Sequence, residues 1–168
     1  MIRLDRPNGL LATGLLVLVV LNLMVWQKER LRASGQTLFV ALTVHDPRAP
    51  MQGDFMALHY DLPGALAARL PDAGRLVVRV DARGVATPVR PYVPGEALAA
   101  GERLLRFRRL RGEVRLGPAA YFFQEGHAAR YAAARYAELR VDDDGHALLV
   151  GLRDADLQPL FGTEAASP

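Results

Sequence analysis

The sequence predicts an α+β fold, mostly β: a partly closed barrel or sandwich with one main helix, preceded by a single N-terminal transmembrane helix. Three observations predict it. The run from Gly9 to Trp26 contains no charged side chain. Beyond it, short alternating or β-branched segments are separated by Gly, Pro and Asp, which is typical of strands and turns. One longer segment, from Glu125 to about Arg135, has the residue spacing of a helix.

The apolar run is long enough to cross a membrane. A helix over Gly9–Trp26 would span roughly 27 Å, close to the hydrocarbon thickness of a bilayer. Ala33-Ser34-Gly35 is similar to a signal-peptide cleavage site, but charged residues separate it from the run, which favours an uncleaved anchor. Basic residues flank the run: Arg3 and Arg6 before it, and Lys28, Arg30 and Arg32 after it. We expect the lipid bilayer to be the partner of residues 9–26.

The orientation of the anchor is inferred from its two ends. Residues 1–8 form a short tail that is easily left in the cytoplasm, and long C-terminal domains translocate largely regardless of flanking charge. The absence of cysteine is compatible with an oxidising compartment. We expect a single-pass protein of the bacterial inner membrane with a periplasmic C-terminal domain. Its expected parts are a tail (1–8), the anchor (9–26), a juxtamembrane linker (27–35), the soluble domain (36–160) and a loose tail (161–168).

The elements of the soluble domain follow from alternation and turn residues. Strands are predicted over 37–44, 54–61, 75–80, 85–93, 103–110, 113–116, 136–141 and 146–152. Pro63 begins a short helix that ends by Leu70. Prolines at 88, 91 and 94 make the strand over 85–93 irregular or an edge. Asp142-Asp-Asp-Gly145 is the strongest hairpin signal, and Arg111-Gly112 predicts a second hairpin.

Composition excludes several classes of enzyme. Cysteine is absent, and serine occurs only at Ser34 and Ser167, where neither side chain is easily held against a base. Lys28 is the only lysine, so a Ser–Lys pair is excluded as well. The four histidines have no close metal-ligand spacing, although a zinc site assembled by folding stays an alternative. We therefore expect no catalytic residue, no cofactor and no metal, and we do not expect an enzyme.

One segment carries a family resemblance. Residues Gly53-Asp-Phe-Met-Ala-Leu-His-Tyr60 resemble the signature of the bacterial GDYXXLXY family, with Phe55 where the family name has tyrosine. The matching positions are Gly53, Asp54, Leu58 and Tyr60. Further similar blocks are 46–48, 121–126 and 136–154, so the resemblance covers roughly residues 36–160. It implies a membrane-anchored bacterial protein, from a family that has no established activity.

Two groups of polar residues are candidates for ligand binding. Asp54 and Glu125 could line one groove, and Glu125 with His127 could form an acid–base pair. The structural alternative is that Asp54 fixes a turn and that Glu125 or Gln124 caps a helix. The full candidate set is Asp54, Tyr60, Gln124, Glu125, His127, Tyr131 and Arg135.

A block of arginines follows on a predicted hairpin. Alternation leaves Leu105 and Phe107 on one face, while Arg106 and Arg108 point the other way. A solvated strand face is the simplest interpretation. The alternative is contact with anionic lipid headgroups or an acidic partner through Arg106, Arg108, Arg109 and Arg111. We expect no nucleic-acid partner, because no aromatic residue beyond Phe107 is interleaved with the arginines.

These observations leave two hypotheses of function. The first is an interaction or accessory module that a membrane anchor holds beside another membrane or envelope protein. The alternative is a small-ligand-binding or acid–base enzyme domain that uses Asp54, Tyr60, Glu125 and His127. The second hypothesis requires these four side chains to converge in one concave pocket.

Overall fold

The computed structural model describes residues 6–43, 55–123 and 128–160, except the side chains of residues 6–10, 12, 31, 33, 34, 128 and 129. The described helices are α1 (Arg6–Ser34), α2 (Gly64–Ala67) and α3 (Ala128–Tyr131). The described strands are β1 (Gln36–Ala41), β2 (Phe55–Ala57), β3 (Ala73–Val80), β4 (Val85–Pro91), β5 (Glu102–Leu110), β6 (Glu113–Arg115), β7 (Ala120–Phe122), β8 (Tyr136–Val141) and β9 (Ala147–Arg153).

Seven of the described strands form one curled sheet in the order β6-β5-β3-β4-β1-β8-β9. Neighbouring strands are antiparallel, except β1 and β4, which run parallel. The curl brings Arg106 N on β5 within 2.7 Å of Gly145 O in the β8–β9 turn, although β3, β4 and β1 lie between β5 and β8. β2 and β7 pair in a separate two-stranded sheet. The prediction of a mostly β, partly closed barrel is confirmed.

The predicted hairpin at 142–145 is confirmed, and its turn residues allow the turn to approach β5 closely. Asp142 Oδ1 accepts a hydrogen bond of 2.8 Å from His146 N, and Asp81 Oδ1 accepts an equivalent bond in the β3–β4 turn. Gly145 has a φ of 83°, and a Cβ added there would lie 3.0 Å from the carbonyl carbon of Leu104. Only glycine therefore fits where this turn approaches β5.

The proline-containing strand β4 is irregular, as predicted, but it is not an edge. The register between β3 and β4 shifts at Val77 and Val78. Of the two alternatives, irregular or an edge, the first is confirmed, since β4 lies between β3 and β1. β1 pairs with Val85 and Ala86 at the start of β4, and the first proline comes only at Pro88. The missing N–H groups of the prolines therefore interrupt no bond to β1.

The core fills the inside of the curl. Leucines from five strands are fully buried: Leu38, Leu76, Leu105, Leu139 and Leu152. Two carboxylates are also buried, and each is paired with an arginine. Glu102 Oε2 lies 3.1 Å from the guanidinium of Arg90, and Glu138 Oε2 lies 2.8 Å from that of Arg153. The pairing offsets the cost of removing each charge from water.

The strand predicted over 54–61 is shorter than expected. β2 covers Phe55–Ala57, and residue 54 lies outside the described residues. The hydrogen bonds between this strand and the β7 segment end with the bond of 2.8 Å from Leu58 N to Ala119 O. The next residue on that side, Pro118, has no N–H to donate. The predicted alternation holds, because Leu58 and Tyr60 are buried and Phe55 is exposed.

The helix predicted from Glu125 to about Arg135 is also shorter. Residues 124–127 lie outside the described residues, and α3 ends at Tyr131. Arg135 N donates to Arg153 O over 2.8 Å, so the backbone at Arg135 already pairs with β9. The main helix of the described chain is therefore α1.

Helix α1 is 29 residues long and leads directly into β1. It contacts β8 and β9, and a guanidinium nitrogen of Arg140 donates to Gly35 O over 3.1 Å at the junction. No helix built from the described residues combines the length and the apolar composition needed to cross a membrane.

Candidate functional site

Residues Leu58 to Tyr60 lie against the chain segment that runs from β6 to β7. Leu58 N donates to Ala119 O, and Tyr60 Oη donates to Pro118 O over 3.0 Å. His59 Nδ1 is paired with the carboxylate of Glu113 on β6. Three consecutive residues therefore fix one segment, residues 113–119.

Tyr60 is the buried member of this contact. Its side chain is 7% exposed, and burial raises the pKa of its phenol well above the ordinary range, opposed by the nearby charge of Arg115. The hydroxyl is therefore protonated at neutral pH and serves as a donor. A Cβ added to Gly117 would lie 2.6 Å from Tyr60 Oη, so the backbone at Gly117 rests directly on the phenol.

An aromatic cluster lies beside this contact. The ring centroid of Tyr131 on α3 is 5.3 Å from that of Tyr121 on β7 and 4.5 Å from that of Phe123. Burial, together with the neighbouring Tyr131, raises the pKa of Tyr121 to about 12. The rings of Tyr121 and Tyr131 therefore pack between α3 and the two-stranded sheet. In that sheet, Tyr121 lies opposite Met56 of β2.

A cleft of about 560 Å³ opens over β3, β5 and β6. Its described lining includes six basic side chains and no carboxylate. The six are Lys28, Arg75, Arg106, Arg108, Arg115 and His146, and we call this the basic cleft. Gly117 lines it as well, so the segment held by Tyr60 forms part of its wall.

The basic side chains of the cleft are unequally paired. Arg115 Nη2 lies 3.5 Å from Glu113 Oε2, but its Nε is buried without a hydrogen-bond partner in the described structure. His146 Nδ1 lies 3.0 Å from Asp142 Oδ2. Within the described residues, neither Arg75 nor Arg108 forms an ion pair, and Arg75 instead lies over the ring of Tyr92 at 5.3 Å.

Arg109 and Arg111 lie outside the lining of the basic cleft. The guanidinium of Arg109 donates to Ala67 O at 2.7 Å and to Leu70 O at 2.8 Å, which ties β5 to the end of α2. Arg111 is exposed in the β5–β6 turn. Of the four arginines predicted to contact a partner or lipid, Arg106 and Arg108 are the two that line the cleft.

Comparison with known proteins places the motif in a family. A family model described as GDYXXLXY protein matches residues 17–152, which is most of the chain. The chain belongs to the GDYXXLXY family. No curated protein and no solved structure matches the chain. The family match begins inside α1 and ends in β9, so it extends further towards the N-terminus than the expected limit at residue 36.

In this GDYXXLXY protein, four of the seven predicted ligand residues, Asp54, Gln124, Glu125 and His127, lie outside the described residues. Tyr60 and Tyr131 both belong to the buried core. Arg135 donates locally, to Ala132 O at 3.3 Å and Ala134 O at 2.8 Å. The hydroxyl of Tyr60 is bonded to Pro118 O, so the side chain holds backbone in place. Across the described residues, no group of three or more His, Cys, Asp or Glu side chains could hold a metal ion.

The predicted contact set did not include Lys28, Arg75, Arg115 and His146, although the structure places them in the cleft with Arg106 and Arg108. The position of Arg115 could have been predicted, because the predicted turn at Arg111-Gly112 places Arg115 opposite Arg108. Arg75 reaches the cleft through the pairing of β3 with β5, and Lys28 through the position of α1. Neither the pairing of β3 with β5 nor the position of α1 is encoded in a short sequence motif.

Proposed function

We propose that this GDYXXLXY protein is a single-pass protein of the bacterial inner membrane. In this proposal residues 9–26 lie in the bilayer, and the β-rich domain lies in the periplasm. The domain acts as an interaction or accessory module for another membrane or envelope protein.

The exposed apolar surface of α1 carries the proposal. Twelve large apolar side chains between Leu11 and Trp26 are 47–73% exposed. Every described side chain from 13 to 30 is exposed, so apolar groups point to all sides of the helix. An apolar surface of this extent is not stable in water and needs a lipid or protein environment. In the sequence, the uncharged run extends from Gly9 to Trp26.

The residues that follow the run suit a membrane–water interface. Trp26 ends the run, and the guanidinium of Arg30 lies 5.5 Å from the centroid of its ring. Tryptophan and basic side chains are typical of the headgroup region, where an apolar ring and a charge are both accommodated. The domain begins six residues after Arg30, at Gln36, which keeps it close to the lipid surface.

An exposed aromatic pair supports contact with a protein partner. Phe55 and Phe122 are 36% and 76% exposed, and their ring centroids are 5.9 Å apart on the small β2–β7 sheet. Large aromatic side chains dominate the energetics of many protein interfaces. Phe55 lies on β2, which leads into the segment Leu58–Tyr60, and Tyr60 of that segment bonds to Pro118 O beside the wall of the basic cleft.

A reporter fusion tests the location. Alkaline phosphatase fused to the C-terminus should be active in intact bacteria, and the fusion should remain in the membrane fraction after an alkaline carbonate wash. A fluorescent protein that folds only in the cytoplasm should be dark at the same position. Release of the full chain by the wash, or the reverse reporter pattern, contradicts the proposal.

Photo-crosslinking tests the interaction module. A photoreactive phenylalanine analogue at Phe122 should give a discrete adduct with a membrane or envelope protein in living cells. The same analogue at Val93, which is 62% exposed in the β4–β5 connection, is the matched control. Absence of an adduct at position 122, or the same adduct at both positions, contradicts a partner at the aromatic pair.

A further inference from the structure

Two pairs of arginines lie directly opposite each other across the strands of the basic cleft. Arg75 of β3 faces Arg106 of β5, and Arg108 of β5 faces Arg115 of β6. Like charges at directly opposite positions of an antiparallel pair repel each other and destabilise the sheet. Glu113 lies 3.5 Å from Arg115, but no ion pair in the described structure neutralises Arg75, Arg106 or Arg108. An anion between these guanidinium groups would therefore relieve the repulsion.

The hydrogen bonding of Arg115 is also incomplete within the described structure. Its Nε is buried and has no partner among the described residues, and its nearest carboxylate oxygen is 3.5 Å away. A buried guanidinium nitrogen without an acceptor is rare, because desolvating an unpaired charged donor is costly. Arg115 also belongs to the segment that His59 contacts at Glu113 and Tyr60 contacts at Pro118.

We propose that the basic cleft binds a phosphate-bearing anion and that the headgroup of an anionic phospholipid supplies it. Guanidinium groups match phosphate oxygens in both charge and planar donor geometry. The cleft, at about 560 Å³, is in the size range of small-ligand sites.

The position of Lys28 identifies the source of the phosphate. Lys28 lines the cleft and follows Trp26 by two residues on α1, at the end of the uncharged run. If that run lies in the bilayer, the cleft opens at the depth of the headgroups. The lipid source therefore rests on the proposed membrane anchor, whereas the phosphate chemistry rests on the arginines alone.

Titration of the full chain in neutral detergent micelles tests this proposal. The probes are short-chain phosphatidylglycerol, short-chain phosphatidylcholine and inorganic phosphate, each followed by isothermal titration calorimetry. The cleft variant is R75Q/R108Q, which removes two arginines that form no ion pair within the described structure. The matched control is R79Q/R83Q, which removes the same charge from exposed positions in and just after β3, outside the cleft.

The wild-type chain should bind phosphatidylglycerol more tightly than the zwitterionic phosphatidylcholine. The cleft variant should weaken binding by about tenfold or more, and the control by no more than about twofold. Equal weakening by both variants would indicate attraction by net charge alone and would overturn the site. Binding of inorganic phosphate alone would overturn the lipid source, and binding of no probe would overturn the proposal as a whole.

Thermal unfolding gives a second readout that does not depend on calorimetric heats. Without phosphate or anionic lipid, the single variant R108Q should unfold at a temperature equal to or above that of the wild type, because it removes a like-charge pair. Added phosphatidylglycerol should raise the wild-type midpoint more than that of R108Q. Equal rises in both contradict the proposal. These measurements need neither an orientation nor a protein partner, so they can fail or succeed independently of the proposed anchor.

Discussion

The backbone of Gly117 rests on the hydroxyl of Tyr60. A Cβ added to Gly117 would lie 2.6 Å from Tyr60 Oη, and the same hydroxyl donates to Pro118 O over 3.0 Å. The last tyrosine of the family motif therefore acts as a support beneath the wall of the basic cleft. This contact links the motif to the cleft without requiring the motif itself to bind a ligand.

Substitution of Gly117 by alanine should destabilise the domain. The new methyl group must displace the phenol or the backbone, and overpacking of this kind costs about 1–3 kcal/mol. The measurement is thermal or urea unfolding of the full chain in neutral detergent micelles, followed by circular dichroism. Gly64→Ala is the matched control, because a Cβ at Gly64 has no atom within 4 Å and should change stability little.

The two residues should also be energetically coupled. Tyr60→Phe removes the oxygen that conflicts with the new methyl group, so Gly117→Ala should cost less in the Y60F background than in the wild type. Additive costs in this double-mutant cycle would show that the methyl group meets another obstacle.

Alkaline pH should destabilise the domain through Tyr60, which is buried, and Tyr121, which is partly buried. Burial raises the pKa of Tyr60 above its ordinary range and that of Tyr121 to about 12, whereas both phenols ionise near the ordinary value of 10 in the unfolded chain. The unfolded chain therefore loses its protons first as the pH rises. The contribution of these two protonated phenols to the free energy of unfolding is complete below about pH 10. It is lost as the pH rises from about 10 to the pKa values that the phenols have in the folded chain.

The free energy of unfolding should accordingly fall with rising pH above about 10 in the wild type. It should fall less steeply in Tyr121→Phe, which lacks one of the shifted groups. Tyr92→Phe is the control, since that residue lies in the β4–β5 connection, outside the aromatic cluster. An identical slope for Y121F and the wild type would contradict the role given to Tyr121.

Local patterns predicted the hairpins of this fold well, and long-range pairing explains the errors. Asp142 to Gly145 carries its own turn chemistry, so the β8–β9 hairpin was visible in the sequence. The position of β4 between β3 and β1 could not be predicted from the sequence, because the parallel pairing of Phe39 with Val85 joins segments far apart in the chain. The prolines of β4 predicted either irregularity or an edge position, and this pairing decides for irregularity.

The candidate site was predictable only in part. Alternation placed Arg106 and Arg108 on the outer face of β5, and the structure agrees, since both are exposed while Leu105 and Phe107 are buried. The strand register that sets Arg75 against Arg106 depends on the pairing of β3 with β5. Such register is decided by the packing of a whole sheet, and no short motif encodes it.

The buried ion pair of Glu138 and Arg153 should be needed for stability. Arg153 Nε and Nη2 each lie 2.8 Å from Glu138 Oε2, and Glu138 is 6% exposed. Arg153→Met removes the only cation this carboxylate pairs with in the described structure, and an uncompensated buried charge costs about 3–5 kcal/mol. The double variant E138L/R153M should be more stable than R153M, because the unpaired charge is gone. The exposed substitution Arg79→Met is the control, with an expected change below about 0.5 kcal/mol.

Charges placed in the middle of the uncharged run should disrupt the proposed anchor. Val17 and Leu18 lie at its centre and are 51% and 58% exposed on α1. An arginine at the centre of a membrane-spanning helix costs about 2.5–3.5 kcal/mol on insertion scales. V17R/L18R should therefore shift the chain from the carbonate-resistant membrane fraction to the supernatant. Gln27→Arg adds a charge one residue beyond the run, where basic side chains reach the interface, and should leave membrane retention unchanged. If V17R/L18R stays as firmly in the membrane as Q27R, then α1 is covered by a protein partner and not by lipid.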